Sequence, residues 1–191
     1  MAGWEVRTLH LKRRWIQIGI LVVVLLAGLF TIVTTISGRA DRQFQIVRAG
    51  DKAPDFKVLG LDGQVYRLSE LRGKTVVLNF WATYCDPCRQ EMPDLQKQAD
   101  KWADAGVVVV GMNVGEGRVT VNNFIQQYKS QFPIYLDSDE QIRRSFGVRE
   151  YPTTFFIRPD GRVHTVKTGM MNEPYIERTI TAILAESEQT S

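Results

Sequence analysis

Cysteine and histidine are scarce in this chain: two of each among 191 residues. A structural zinc site takes four ligands from Cys or His. The chain offers Cys85, Cys88 and His164, with His10 set apart from them by a long apolar run, so structural zinc is not the expectation. A basic surface is also lacking. The net charge of +3 equals the excess of Arg7, Lys12, Arg13 and Arg14 over Glu5, and residues 37–191 hold equal numbers of acidic and basic side chains. No basic stripe interleaved with aromatics remains, which argues against a nucleic-acid partner. Low-complexity tracts and fixed-period repeats are absent as well, which excludes solenoids and disordered arrays.

One long segment lacks charge altogether. Residues 15–36, "WIQIGILVVVLLAGLFTIVTTI", contain no Asp, Glu, Lys or Arg. As a helix they would rise roughly 33 Å, enough for a hydrocarbon core of about 30 Å. A signal peptide has a shorter apolar region and an A-x-A-like cleavage site; "TISGRA" is a poor one, and no cysteine follows closely enough for lipidation. The expectation is an uncleaved transmembrane anchor. Residues 1–14 then form a cytoplasmic tail, on the argument that Lys12-Arg13-Arg14 marks the inner side. Arg39, Arg42 and Arg48 follow the run, so the charge bias by itself is weak.

Residues 37–49 read as a polar linker, 50–186 as the folded domain and 187–191 as a tail. Within the domain, "FKVLGLDGQVYRL" alternates around Asp62-Gly63, a hairpin signal. Ser69 with "ELRG" suggests one turn before "TVVLNF", a buried strand. A helix should follow from Asp86 to Ala103, with Pro93 expected to kink it. The pattern then predicts strand "VVVVGMN", helix "VTVNNFIQQYKSQ", strand "PIYL", helix "DEQIRRSFG" and strand "TTFFIR". Asp160-Gly161 turns into a last strand, "RVHTVKT", and Asn172 can cap a final helix. The implied fold class is α/β, a mixed central sheet flanked by helices.

Cys85 and Cys88 fall where the buried strand meets its helix. A purely structural disulfide closing so short a loop would contribute only roughly 2 kcal/mol in the chain-entropy model. A dithiol pair explains more. A cysteine at a helix N-terminus faces free backbone N–H groups and the positive end of the macrodipole, which favour thiolate. A second cysteine three residues on can break a mixed disulfide formed at the first. The expected chemistry is thiol–disulfide exchange, Cys85 attacking and Cys88 resolving, with no cofactor beyond the disulfide itself. Glu91, three residues further, shares their helix face. It is either a solvated carboxylate of the first helical turns or a group that exchanges protons with the thiols.

The stretch "FWATYCDPCRQEMP" resembles the active site of the thioredoxin-like family, particularly the membrane-anchored ResA/TlpA-type thiol-disulfide oxidoreductases. The likeness runs over about residues 50–186, carried also by "GDKAPDFKVLGLDGQVYRLSELRGKTVVLNF", "GMNVGEGRVTVNNFIQQY", "FPIYLDSD" and "VREYPTTFFIRPDGRV". It implies a thioredoxin-like fold with a β-α insert around residues 113–136. It implies an extracytoplasmic, single-pass membrane enzyme that reduces the Cys-x-x-Cys-His disulfide of apocytochrome c for haem attachment. The implied electron donor is a CcdA/DsbD-type membrane protein. Cys85 matches the exposed nucleophile, Cys88 the resolving thiol and Glu91 the acidic residue after them. Tyr151-Pro152 matches the cis-proline loop, whose backbone meets an extended client. Trp81, Tyr84 and Pro87 complete the implied client-binding surface, although Trp81 and Tyr84 can equally serve in packing. Thioredoxins proper carry a buried Asp where this chain has Asn79, so proton handling falls to Glu91. Asp86 stands where the family often has Glu, and its charge beside Cys85 opposes the helix dipole.

Two other classes compete. "GDKAPDFKVLGLDG" also opens many peroxiredoxins, but those place Thr or Ser three residues before the reactive cysteine and Pro seven before it. Ala82 and Leu78 occupy these positions. A non-catalytic binding module would have no use for the intact pair. An exported client other than a cytochrome, such as a spore or cell-wall protein, would use the same framework.

Overall fold

Asp62-Gly63 reverses the chain as the alternation predicts: Lys57–Gly60 (β1) pairs antiparallel with Val65–Arg67 (β2), Val58 opposite Tyr66. The computed structural model describes residues 17, 19–31 and 46–188. A 3-10 turn over Leu68–Leu71 leads into Thr75–Trp81 (β3), every residue of which is buried. Then follow Asp86–Trp102 (α1), Val107–Val114 (β4), Arg118–Tyr128 (α2), Ile134–Asp137 (β5) and Gln141–Phe146 (α3). Thr153–Ile157 (β6), Val163–Thr168 (β7) and Glu173–Glu188 (α4) complete the domain.

The strands form one mixed sheet in the order β2-β1-β5-β4-β3-β6-β7, with β3, β4 and β5 parallel and the outer pairings antiparallel. The chain thus winds outward from β3 through β4 to β5 and then returns to the other side of β3 as β6. In open α/β sheets such a reversal opens a crevice at the carboxyl ends of the strands, and both cysteines follow the carboxyl end of β3. The expected α/β class is what the chain adopts; residues 113–136, where the resemblance implies an insert, hold the end of β4, all of α2 and most of β5.

Each sheet face has its own core. Val77, Trp81 and Val109 face Met92 and Leu95 of α1, Phe124 of α2, and Ile176 and Ile180 of α4. On the other face Leu78, Phe80 and Met112 pack with Phe146 of α3 and with Phe56 and Val47. Packing therefore reaches back to Val47, whose N–H donates to the Phe146 carbonyl at 3.4 Å. Helix α1 continues as one element through Pro93, and α2 stops at Tyr128, short of its predicted end, where Lys129 takes a left-handed φ of 54°. Asn172 does cap α4, its Oδ1 accepting the Tyr175 N–H at 3.1 Å.

The described residues of the N-terminal segment, 17 and 19–31, belong to a different unit from the domain. Residues 17 and 19–31 of the expected span are helical. Among the described residues no helix is long and apolar enough to cross a membrane; residues 15, 16, 18 and 32–36 of the span lie outside them. So do the tail 1–14, linker residues 37–45 and the last three residues of the chain.

Candidate active site

Strand β3 delivers Trp81 and Ala82 to a tight turn in which the Cys85 N–H donates to the Ala82 carbonyl at 3.2 Å. Cys85 is the N-cap of α1, and Pro87 sits in the first helical turn, where a missing N–H costs nothing. Cys85 and Cys88 are joined in a disulfide. The Cys88 N–H donates to the Cys85 sulfur at 3.3 Å, so this sulfur lies against the free N–H groups of the helix, as the dithiol argument requires. Cys85 is 9% exposed and Cys88 1%, so the first is the less enclosed of the two. The Asp86 carboxylate forms an ion pair with Arg89 at the surface, which offsets the charge expected to oppose the helix dipole.

Glu91 is not a solvated carboxylate. It is 1% exposed, on the face of α1 turned to the sheet. Its Oε1 accepts from Asn79 Nδ2 at 2.7 Å and its Oε2 from the Met171 N–H at 3.0 Å. Burial pushes its pKa up to about 7, against the two hydrogen bonds, which favour the charged form. Asn79 also donates to Thr154 Oγ1 at 2.9 Å. The residue that cannot titrate thus holds the one that can, and the pair ties α1 to β3 and β6.

The Tyr151–Pro152 peptide is cis, as the resemblance implies. Pro152 is buried, and its carbonyl accepts the Gly169 N–H at 2.8 Å, which places residues 169–171 beside the site. Tyr151 is half-buried, and loss of solvent pushes its hydroxyl up to about 12, so it remains uncharged. Tyr84 and Pro87 are exposed next to the disulfide. Trp81 is fully buried against Phe124, ring centroids 5.1 Å apart; what it offers the site in this oxidised form is packing. Gly111 makes room for it, since a Cβ there would come within 3.0 Å of the indole nitrogen.

Three contributors were not singled out from the sequence. Thr154 carried a usable signal: in "TTFFI" it alternates with Phe156 toward the face that Asn79 occupies. Met171 contributes only its backbone, which no side-chain pattern reveals. Glu116, in the loop after β4, reaches back to Thr83. Among the described residues no group of three or more His, Cys, Asp or Glu is placed to hold a metal.

A sequence model of the AhpC/TSA family matches residues 49–166. The chain is 38% identical over 165 residues to the thiol-disulfide oxidoreductase ResA of Bacillus subtilis, covering 86% of this chain and 90% of that protein. It is 36% identical to ResA of Halalkalibacterium halodurans, over 92% and 98% of the two chains. Among solved structures, a thiol:disulfide interchange protein of the thioredoxin family from Chlorobium tepidum superposes with a TM-score of 0.64 at 30% identity. That match covers 73% of this chain and 99% of the other. A secreted Mycobacterium tuberculosis disulfide oxidoreductase superposes with a TM-score of 0.61 at 27% identity, over 66% and 95%.

Proposed function

We propose, for a chain that belongs to the AhpC/TSA thioredoxin-like family and to its ResA-type thiol-disulfide oxidoreductases, that its dithiol reduces exported client disulfides outside the cytoplasmic membrane. The client read from the resemblance is the Cys-x-x-Cys-His disulfide of apocytochrome c. The observation that carries the reading is the asymmetric pair: Cys85 at a helix N-terminus, the less buried of the two, and a fully enclosed Cys88 three residues on.

Starting from the reduced pair, the Cys85 thiolate attacks one sulfur of the client disulfide, and the other client sulfur leaves as a thiolate that takes up a proton. The Cys88 thiol then loses its proton and attacks the Cys85 sulfur of the mixed disulfide. The second client thiol is released, and the Cys85–Cys88 disulfide forms. The client has gained two electrons and two protons. The structure is in this final, oxidised state, and a CcdA/DsbD-type membrane donor would return it to the dithiol. The Glu91 carboxyl, poised near pH 7 on the same helix face, is suited to exchange the proton that Cys88 gives up. A peroxidase reading has no support at Ala82, which is buried and has no hydroxyl to hold a peroxide.

Deleting the protein is expected to lower covalently attached haem, and added small-molecule thiol to restore it. Normal haem attachment in the deletion would move the client to another exported protein such as a spore or cell-wall component.

Residues 15–36 support a membrane anchor by their length and lack of charge, with the N-terminus cytoplasmic and the catalytic domain on the outer face. Protease added to intact protoplasts is expected to remove the domain. Complete protection there, with digestion after lysis, would place it inside.

A further inference from the structure

The turn that carries Cys85 is gripped from the loop that follows β4. Glu116 Oε2 accepts the Thr83 N–H at 2.7 Å, and its Oε1 accepts the Thr83 hydroxyl at 2.5 Å. The same carboxylate takes Asn113 Nδ2 at 2.7 Å. Asn113 is fully buried and its Oδ1 has no hydrogen-bond partner, so its amide is turned to Glu116 at the expense of its other end. The loop is itself braced from β5: the Gly115 N–H donates to the Asp137 carbonyl at 3.0 Å, and Ser138 Oγ to the Glu116 carbonyl at 3.1 Å.

Such an arrangement has a chemical consequence. Thr83 is the second residue of the turn that ends at Cys85, so fixing both its N–H and its hydroxyl fixes where the turn hands over to α1. In the oxidised protein the disulfide also holds Cys85 against the helix. Once the disulfide is reduced that covalent tie is gone, while the hold on Thr83 does not involve either sulfur and so does not depend on it.

We propose that Glu116 is a positioning residue for thiol–disulfide exchange, holding the Thr83 turn so that reduced Cys85 stays at the N-terminus of α1. The assignment rests on the dithiol reaction proposed above. Through it the α2–β5 unit reaches the reaction centre without touching either sulfur.

A carboxylate near a thiol could also act through its charge alone, and the two roles have opposite signs. Removing a nearby negative charge favours thiolate, whereas releasing the turn takes the sulfur away from the helix N-terminus and disfavours it. The test is the rate of Cys85 alkylation against pH in the reduced full-length chain. Glu116→Gln and Thr83→Val are each expected to slow alkylation at pH 7 by roughly three- to tenfold, the thiolate lost when a thiol pKa rises by half to one unit. The double variant should be no slower than the slower single one, because the hydroxyl contact that Thr83→Val removes is part of the hold that Glu116→Gln releases. Thr83→Ser, which keeps the hydroxyl, should react as wild type, and thermal unfolding of the oxidised forms should stay close to wild type. Faster alkylation in Glu116→Gln with Thr83→Val unchanged would overturn positioning in favour of charge. Curves that all superimpose would overturn both. If wild-type Cys85 itself shows no preference over Cys88, the exchange reading falls first and takes this assignment with it.

Discussion

Glu91→Gln is expected to reverse sign in its effect on stability between about pH 4 and pH 8. Burial raises the Glu91 pKa to about 7 from an ordinary value of 4.5, so between those two values the folded protein holds a proton that the unfolded chain releases. Stability conferred by this group is therefore full at low pH and declines as pH rises through 7. A difference of this size corresponds to about 3 kcal/mol between the two ends of the window, an upper figure because buried carboxylates relax their surroundings. Gln cannot ionise. It keeps one hydrogen bond of the pair to Asn79 Nδ2 and the Met171 N–H and leaves the other donor facing an amide N–H, a loss of about 1 kcal/mol. At about pH 4 the variant should be the less stable protein, and at about pH 8 the more stable one. Urea unfolding of the oxidised protein at both pH values reads this directly. A difference between variant and wild type that does not change with pH would mean that Glu91 does not titrate in the window. In the reduced protein the same substitution should shift the apparent cysteine pKa and flatten the pH dependence of disulfide exchange, since two groups that exchange a proton titrate together.

Substituting the two cysteines separately is expected to give two different failures. Cys88→Ser removes the resolving thiol but leaves Cys85 at the N-cap of α1, so it should capture a client and stop as a mixed disulfide. Cys85→Ser leaves Cys88, which is 1% exposed, and should capture nothing. Multiple turnover should fall to background in both. Non-reducing electrophoresis after incubation with a disulfide-containing peptide separates them, and limited alkylation of reduced wild type should label Cys85 first. Adduct formation by Cys85→Ser but not by Cys88→Ser would exchange the roles. In cells the Cys88→Ser adduct can be identified by mass spectrometry, which tests the client assignment independently of haem.

Much of the site is local, and its local part was legible. The alternation around Asp62-Gly63, the apolar run of β3 and the cysteine pair at the start of α1 each lie within a few consecutive residues, where period and capping chemistry act. The Cys85–Cys88 spacing spans less than one helical turn, so the meeting of both sulfurs at the helix N-terminus did not depend on the rest of the fold. Element ends were harder: α2 ends at Tyr128 because Lys129 turns left-handed, a stop no glycine announces. Pro93 was expected to kink α1; the helix runs on through it as one element, with Met92 and Leu95 on either side buried in the core. Tertiary packing outweighed the local penalty.

The sequence by itself determined the α/β class and the redox pair, because helix period and the position of a helix start arise from neighbouring residues. Only the tertiary structure decided what surrounds them. Glu91 could be read along α1 as a carboxylate in line with the cysteines, but whether it met water or protein depended on Asn79 in β3 and on Met171, 80 residues away. Its shifted pKa comes from that burial, a property of the assembled layers. The hold of Glu116 on Thr83 likewise joins residues 33 positions apart. Both are long-range contacts, which exist only once the sheet has brought the ends of β3, β4 and β6 together.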